Sequence, residues 1–283
     1  MTDNNITTNV TIDDLTPPEI AKKAVAVGVK KASLDFWSAF FLAVLAGAFI
    51  AFGGIMATTV GTNGPDYPYG VNAILKGLIF SLGLILVVIA GAELFTGNNL
   101  VFMAVLNKKV SFGKMFRNWG IVYLGNFIGS ISIAFIMLAT KQYTFAGGAI
   151  GKTALAIANS KTGLSFGSAI ALGILCNMLV CLAVWMTFAS RTTAGKILAM
   201  VPPIAAFVAA GFEHSVANMY LVPIGLLIKW FDPSFFSSAG EYGNLTLGNF
   251  FLRNLLPVTI GNIIGGSIFI GVTYWFIYLR NKK

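Results

Sequence analysis

Ala210-Gly-Phe-Glu-His-Ser-Val-Ala-Asn-Met219 is the stretch on which the fold depends, because it places two ionisable side chains inside a long apolar run. One of them, His214, is the only histidine of the chain. A charge at the centre of a bilayer costs roughly 2.5 kcal/mol or more, so Glu213 and His214 persist there only where protein or a water-filled path receives them. The stretch is therefore a candidate functional segment.

The composition predicts an all-α polytopic membrane protein. Apolar residues make up 57% of the 283 positions and charged residues only 10%, whereas about a quarter of positions are charged in soluble domains. The net charge of +9 does not indicate nucleic-acid binding, because the basic residues fall in short loops without a continuous basic face. Cys176 and Cys181 lie on different faces of one helix, which suits neither a disulfide nor a metal site, and we expect packing roles for both.

Six apolar runs are long enough to cross a bilayer. Two of them exceed the ~20 residues that one crossing needs, and both contain a polar cluster. The clusters are residues 93–99 in the second run and residues 213–215 in the fifth, so we predict that transmembrane helices 2 and 5 are broken. The six runs cover about residues 37–60, 74–106, 119–139, 166–189, 197–229 and 255–279.

The basic residues predict the orientation of the chain. Most of the 19 Lys and Arg residues lie in the amino-terminal segment, near 107–118, near 190–196 and in the carboxy-terminal tail. The positive-inside rule places these segments and both termini in the cytoplasm, and places the loop that carries Lys161 outside.

The amino-terminal segment is predicted to form a helix of its own. Thr16-Pro17-Pro18-Glu19 is a capping box with proline at the first helical position. We expect residues 1–35 to be a cytoplasmic amphipathic helix along the membrane face, either an anchor or a movable plug over an entrance. Residues 36–280 would then form the channel domain.

Three motifs recur in the same order in the two halves of the chain. Because each half has three spans, the second half enters the membrane from the opposite side, which predicts an inverted repeat of about residues 36–140 and 165–280. The third motif is also a small-xxx-small pattern that lets helices approach closely. The pairs are Phe36-Trp-Ser-Ala39 with Phe166-Gly-Ser-Ala169, Gly91-Ala-Glu93 with Gly211-Phe-Glu213, and Gly125-Asn-Phe-Ile-Gly129 with Gly261-Asn-Ile-Ile-Gly265.

Two broken helices that meet at mid-membrane predict an anion site, because each second piece begins with free backbone N–H groups. Thr96 and His214 lie at the two breaks and can donate hydrogen bonds to a carboxylate or a similar small anion. His214 also titrates near neutrality and is therefore a candidate proton donor. The alternatives are a helix cap for Thr96 and a packing role for His214. Glu93 and Glu213 are expected to hold the broken segments by accepting hydrogen bonds from free backbone N–H groups.

The chain resembles the formate/nitrite transporter family over nearly its whole length. The resemblance implies an aquaporin-like protomer of six helices and a homopentamer with one pore per protomer. It also implies passive or proton-coupled passage of small monovalent anions across a bacterial inner membrane, without a cofactor or metal. It rests on Gly91-Ala-Glu-Leu-Phe-Thr-Gly-Asn98, Gly211-Phe-Glu-His-Ser-Val-Ala-Asn-Met219 and Pro257-Val-Thr-Ile-Gly-Asn-Ile-Ile-Gly-Gly266.

The same resemblance assigns roles to particular residues. It places Thr96 and His214 at the centre of the pore, with Asn177 and Asn218 nearby. It implies constrictions at Leu84 and Phe207 toward the cytoplasm, and at Leu94 with neighbouring aromatic residues toward the outside. The other residues expected along the substrate pathway are Phe80, which matches a pore-lining phenylalanine, Lys161, which matches a lysine thought to attract anions outside, and Phe95, Glu93, Glu213 and Asn262.

Formate is the first expectation for the substrate, and nitrite and hydrosulfide stay open. Residues 255–280 are similar to formate channels, whereas Glu93-Leu-Phe-Thr-Gly97 is closer to the nitrite branch, since formate channels tend to have Asp at the position of Glu93. A neutral-solute channel of the aquaporin kind is the alternative from another class, although the chain contains no Asn-Pro-Ala. We expect no enzyme activity, since one histidine cannot build a His-Glu-x-x-His zinc site.

Overall fold

The computed structural model describes residues 14–62 and 64–280, and all regular structure within these ranges is helical. The amino-terminal prediction for residues 1–13 lies outside the described residues. The helices are α1 Pro17–Ala32, α2 Phe36–Val60, α3 Tyr69–Ile89, α4 Phe95–Asn98, α5 Val101–Leu106, α6 Phe112–Ala139, α7 Ala149–Thr162, α8 Phe166–Ala189, α9 Thr193–Ala209, α10 Ser215–Phe231, α11 Pro233–Ala239 and α12 Leu247–Tyr278, which contains π-helical turns at Phe250–Leu255 and Ile264–Val272.

Five helices of the described chain are long and apolar enough to cross a membrane, namely α2, α3, α6, α8 and α12. The two longest apolar runs of the sequence are interrupted. The backbone leaves the helical conformation between Ile89 and Phe95, and again between Ala209 and Ser215. Gly91 and Gly211 turn the chain at these points with φ of 83° and 73°, a conformation that glycine adopts without a steric penalty.

The predicted small-xxx-small motifs bring two helix pairs into close contact. A methyl group added at Gly129 of α6 would collide with the Val44 carbonyl of α2. Likewise, a methyl group at Gly265 of α12 would collide with the Ile174 carbonyl of α8. The backbones of each pair therefore approach closely, as expected for helices that associate in lipid.

The capping box at the start of α1 is confirmed. Glu19 accepts hydrogen bonds from the backbone N–H and the hydroxyl of Thr16, at 2.8 and 2.6 Å, and the hydroxyl bond lowers the pKa of Glu19. The helix then packs on the ends of other helices, where Lys23 donates to the Phe188 carbonyl at 2.9 Å and Gly28 lies against Ala104. These contacts fasten α1 to the carboxy-terminal end of α8 and to α5.

The loop predicted around Lys161 is instead the helix α7, and Lys161 lies in its last turn. Hydropathy does not reveal this helix, because its 14 residues are too few to cross a bilayer and most residues of its buried side are small. It precedes α8 as α1 precedes α2, and the buried residues of the two helices have the same spacing. They are Ile20, Ala21, Ala24, Val25, Gly28 and Ala32 in α1, and Ile150, Gly151, Ala154, Leu155, Ala158 and Thr162 in α7.

Candidate functional site

Two asparagines hold the starts of α4 and α10. The first N–H of α4, on Phe95, donates to the Asn126 side chain, and the first N–H of α10, on Ser215, donates to Asn262, both at 2.9 Å. The amide nitrogen of Asn126 donates to the Ala43 and Glu93 carbonyls, and that of Asn262 donates to the equivalent carbonyls of Gly173 and Glu213. Each asparagine thus ties a long helix to one break.

A buried lysine–glutamate pair lies beside each break. Lys31 contacts Glu93 at 2.7 Å, and Lys161 contacts Glu213 at 2.8 Å. The second carboxylate oxygen accepts from the Asn98 amide in the first half and from the Asn218 amide in the second, both at 2.7 Å. The prediction that the glutamates bond free backbone N–H groups was wrong, because Asn126 and Asn262 already occupy the first N–H of each helix.

A further asparagine in each half bonds the backbone carbonyl of the lysine. Asn118 accepts from Asn98 and donates to the Lys31 carbonyl, and Asn254 accepts from Asn218 and donates to the Lys161 carbonyl. Lysine, glutamate and two asparagines therefore form a closed ring of hydrogen bonds in each half. The rings neutralise and fix two buried glutamates, whose side chains are 9% and 6% exposed.

Thr96 and His214 meet between the two helix starts. The Thr96 hydroxyl lies 2.8 Å from His214 Nε2, and the two residues are 0% and 2% exposed. His214 Nδ1 accepts the backbone N–H of Ala217 at 3.0 Å, so Nδ1 carries no proton in this arrangement. A neutral ring then has its proton on Nε2, which donates to the Thr96 oxygen and leaves the hydroxyl hydrogen free to donate elsewhere.

Aromatic rings cover one side of this pair. The Phe207 ring stacks on the His214 ring with centroids 5.9 Å apart, and Phe80 meets Phe207 edge-on at 5.7 Å. Phe95 packs against Tyr123 of α6 at 4.9 Å. Of the predicted aromatic pathway residues, Phe207 therefore lies on the His214 ring and Phe80 lies on Phe207, whereas Phe95 packs against α6.

A cavity of about 380 Å³ lies on the α1 side of the first break. Its lining includes Leu84 and Leu94, together with Lys31 and Glu93. The structure thus groups the predicted constrictions differently, because Leu84 and Leu94 share one cavity while Phe207 packs with Phe80. Sequence spacing could not show this, since the side of the break that a residue faces depends on the path of residues 90–94.

Three further predicted residues, Asn218, Lys161 and Asn177, bond to groups around the Thr96–His214 pair. Asn218 and Lys161 belong to the ring around Glu213, so Lys161 is ion-paired rather than a free loop lysine. Asn177 donates to the Asn99 side chain and the Asn262 carbonyl at 2.7 Å, and its amide nitrogen lies 3.3 Å from the Thr96 carbonyl. Its hydrogen bonds therefore go to backbone carbonyls and to Asn99, and not to the Thr96 hydroxyl or the His214 ring.

The comparison with protein families decides the identity of this arrangement. The model of the formate/nitrite transporter family matches residues 18–276. The chain belongs to the formate/nitrite transporter family.

Relatives of this family member match it along almost their whole length. It is 42% identical over 275 residues to the formate channel FocA of Escherichia coli strain K12, covering 95% of this chain and 96% of FocA. A solved structure described as a pentameric formate channel with formate bound is similar with a TM-score of 0.79 and 46% identity, over 87% of this chain and 98% of that one. An ion channel of the same family is 31% identical with a TM-score of 0.76, over 92% and 98%.

Sequence reasoning missed four members of the hydrogen-bonded rings in this formate/nitrite transporter family protein: Lys31, Asn98 and the equivalent pair Asn118 and Asn254. A signal for the lysine was present, because Lys31-Ala-Ser-Leu-Asp-Phe36 matches Lys161-Thr-Gly-Leu-Ser-Phe166. The recurrence extends the similarity of the two halves to α1 and α7. No comparable local signal distinguishes the two asparagines from others in the chain.

Proposed function

We propose that this protein is a channel for small monovalent anions, with formate as its principal substrate. The observation that carries the proposal is the buried Thr96–His214 contact between two helix starts. The second N–H of each helix, on Thr96 and on Val216, has no hydrogen-bond partner among residues 14–62 and 64–280. Hydroxyl, imidazole and helix N-termini are all groups that favour an anion.

His214 is proposed to act as a hydrogen-bond donor while its ring caps α10. To release the Nε2 proton without forming an imidazolate, the ring has to accept a proton at Nδ1. The Ala217 N–H occupies Nδ1 at 3.0 Å, so this uptake requires the cap to open. An anion at the pair therefore accepts a hydrogen bond from the Thr96 hydroxyl, or takes the Nε2 hydrogen bond in place of the Thr96 oxygen. Proton transfer belongs to a second state in which the cap is broken.

The transport path is proposed to cross six spans arranged as two inverted repeats around this pair. The recurrence of the ring and of the scaffold asparagine in both halves supports the repeat. In this arrangement α3 and α9 are the first pieces of two broken spans, and α4 with α5 and α10 are the second pieces. Each repeat then begins with its own short helix, α1 or α7.

Two constrictions are proposed along the path. Phe80 and Phe207 form a dry ring on one side of the pair, and Leu84 and Leu94 narrow the cavity on the other side. An anion that passes these apolar rings loses water, so donors at the centre have to replace its hydration. Lys161 and Lys31 add positive charge on the two sides without leaving their glutamates.

The cellular setting follows from the family and the charge distribution. We place the protein in a bacterial inner membrane with both termini in the cytoplasm, since the basic segments cluster on the α1 side. A homopentamer is proposed from the similarity to the pentameric formate channel. The amino-terminal segment is proposed to gate the α1-side cavity in response to pH, because α1 borders the cavity and is fastened beside it by the Lys31–Glu93 ion pair.

Uptake of labelled formate into proteoliposomes tests the central pair. His214→Asn and Thr96→Ala should each lower the flux by about tenfold or more, because one hydrogen bond to a charged group contributes roughly 1.5–3 kcal/mol. Thr58→Ala is the matched control, since Thr58 is a buried threonine of α2 that bonds only the Gly54 carbonyl. Parent-like flux and pH dependence in both site variants would sink the proposal.

The substrate alternatives are separated in the same vesicles. Currents of formate, nitrite, hydrosulfide and chloride, measured side by side at two pH values, rank the anions. Osmotic swelling with glycerol but no anion current would support the neutral-solute channel. The lack of Asn-Pro-Ala in the chain argues against that outcome.

A further inference from the structure

Asn177 touches the backbone beside both members of the central pair. It is 0% exposed in α8, and its amide nitrogen donates to the Asn262 carbonyl at 2.7 Å and approaches the Thr96 carbonyl at 3.3 Å. The Asn262 side chain in turn holds the N–H of Ser215, the residue after His214. One amide thus connects the backbone of the Thr96 break to the scaffold of the His214 break.

This connection exists in one half only. Asn177 follows Phe166 at the same distance as Gly47 follows Phe36, so Gly47 of α2 is its equivalent. On the facing helices, Ser130 of α6 donates to the Gly47 carbonyl at 3.1 Å, whereas Gly266 of α12 takes the equivalent place opposite Asn177. A methyl group at Gly266 would collide with the Asn177 amide. In the first half the polar side chain is on α6 and faces a glycine of α2. In the second half it is on α8, the equivalent of α2, and faces a glycine of α12.

Packing alone does not explain Asn177. Its side-chain oxygen is buried without a partner in the described chain, and such an atom costs about 1–3 kcal/mol. The amide cannot be turned around, because its oxygen would then face the carbonyls of Thr96 and Asn262. In the first half, Gly47 and Ser130 make the equivalent helix contact, and the Ser130 hydroxyl has a hydrogen-bond partner there.

We propose that Asn177 is a positioning residue that sets the contact between Thr96 and His214. Its two hydrogen bonds go to the Asn99 side chain of the first break and to the Asn262 carbonyl, both at 2.7 Å, with the Thr96 carbonyl 3.3 Å away. This amide thereby sets the spacing of the two breaks, at which the hydroxyl and the imidazole lie 2.8 Å apart. Cys181, one turn further along α8, adds a weaker contact from its sulfur to the same Thr96 carbonyl at 3.5 Å. The inference rests on the proposed function, in which this pair binds the anion.

The double variant Asn177→Gly with Gly266→Ser tests the proposal, because it rebuilds in the second half the glycine–serine contact of the first. The full-length protein is reconstituted and labelled with ¹⁵N-histidine, which reports His214 alone because the chain has one histidine. We expect a thermal unfolding midpoint near that of the parent, a maximal formate flux lower by about tenfold, and ring-nitrogen signals that show a lost or weakened Nε2 hydrogen bond. Thr58→Ala, whose hydroxyl donates to the Gly54 carbonyl of α2, is the control and should keep the flux and the ring signals of the parent.

Ring signals that match those of the parent overturn the proposal, with or without a change in flux. If the double variant fails to fold, Asn177→Ser decides, because its shorter hydroxyl cannot reach both carbonyls and should alter the same signals. Unchanged signals in that variant also overturn the proposal. A parent protein without formate flux would refute the proposed function, but the ring signals would still decide whether Asn177 positions the pair.

Discussion

The two breaks have the same hydrogen-bonded scaffold but differ in the residues at the start of the helix that follows, which we call the tips. Each has a lysine–glutamate pair, two asparagines that complete its ring and a third that holds the first N–H of the helix. At the tips the sequences diverge, since Leu94-Phe-Thr96 stands where the second break has His214-Ser-Val216. The scaffold is thus duplicated, whereas each half contributes one polar group to the centre.

The tips also differ in how the helices are stabilised. His214 caps α10 with its own ring nitrogen, and α10 continues for 17 residues. Leu94 has no side-chain acceptor, and α4 has 4 residues before a second short helix follows. Trp119 supports the short helix by donating to the Asn98 carbonyl at 2.9 Å. A capping histidine is therefore part of the fold as well as of the site, which constrains how freely it can turn.

Removal of the scaffold asparagines should have the largest effect, and the same effect in both halves. Asn126→Leu and Asn262→Leu each leave the first N–H of a helix without its acceptor and remove two hydrogen bonds to carbonyls, and we expect each to cost about 4 kcal/mol. Thermal unfolding in detergent measures the loss. Asn249→Leu is the control, since its exposed bond to the Asn244 carbonyl should matter by less than about 0.5 kcal/mol. Unequal losses would break the equivalence of the two scaffolds.

The ion pairs should show a smaller effect that differs between the halves. The lysine and glutamate side chains are 16% and 6% exposed in the Lys161 pair, against 24% and 9% in the Lys31 pair. Lys161→Ala should therefore cost about 3 kcal/mol and Lys31→Ala about 2, because each leaves a buried carboxylate without its cation. Unfolding midpoints compare them, and the exposed Lys30→Ala is the control in α1.

Lys31→Ala also tests gating by α1. Without the lysine, the ion pair to Glu93 no longer fastens α1 at any pH, so the pH dependence of formate flux should flatten. A pH profile identical to that of the parent would contradict a gating role for this contact, even if the stability loss is found.

The turn glycines should show the smallest effect. Gly91→Ala and Gly211→Ala place a methyl group in open space, so only the positive φ opposes them, at about 1 kcal/mol each. Gly113→Ala in α6 also meets open space but has an ordinary helical backbone, and it should stabilise the protein by about 0.5–1 kcal/mol. Opposite signs in unfolding experiments would sharpen the assignment of both turns. A stabilising change at either turn would contradict it.

The sequence by itself determined the membrane class, the interruption of two apolar runs and the family. These follow from local properties, namely hydropathy, glycine at a turn and a carboxylate in an apolar run, which act over a few neighbouring residues. The paired motifs around Glu93 and Glu213 also pointed to equivalent scaffolds. The residue types at the two breaks can therefore be read from local sequence without any tertiary contact.

Only the tertiary structure decided which groups meet. The Thr96–His214 contact, the Lys31–Glu93 pair and the placement of Leu84 and Leu94 on one cavity join residues far apart in the chain or on opposite sides of a turn. Such contacts depend on how closely glycine-bearing helices approach and on the path of a non-helical segment. The small-xxx-small pattern predicts the close approach, but the path of a non-helical segment has no periodic pattern in the sequence. The sequence therefore does not show which side chains the glutamates meet, and α7 is too short to be recognised as a span.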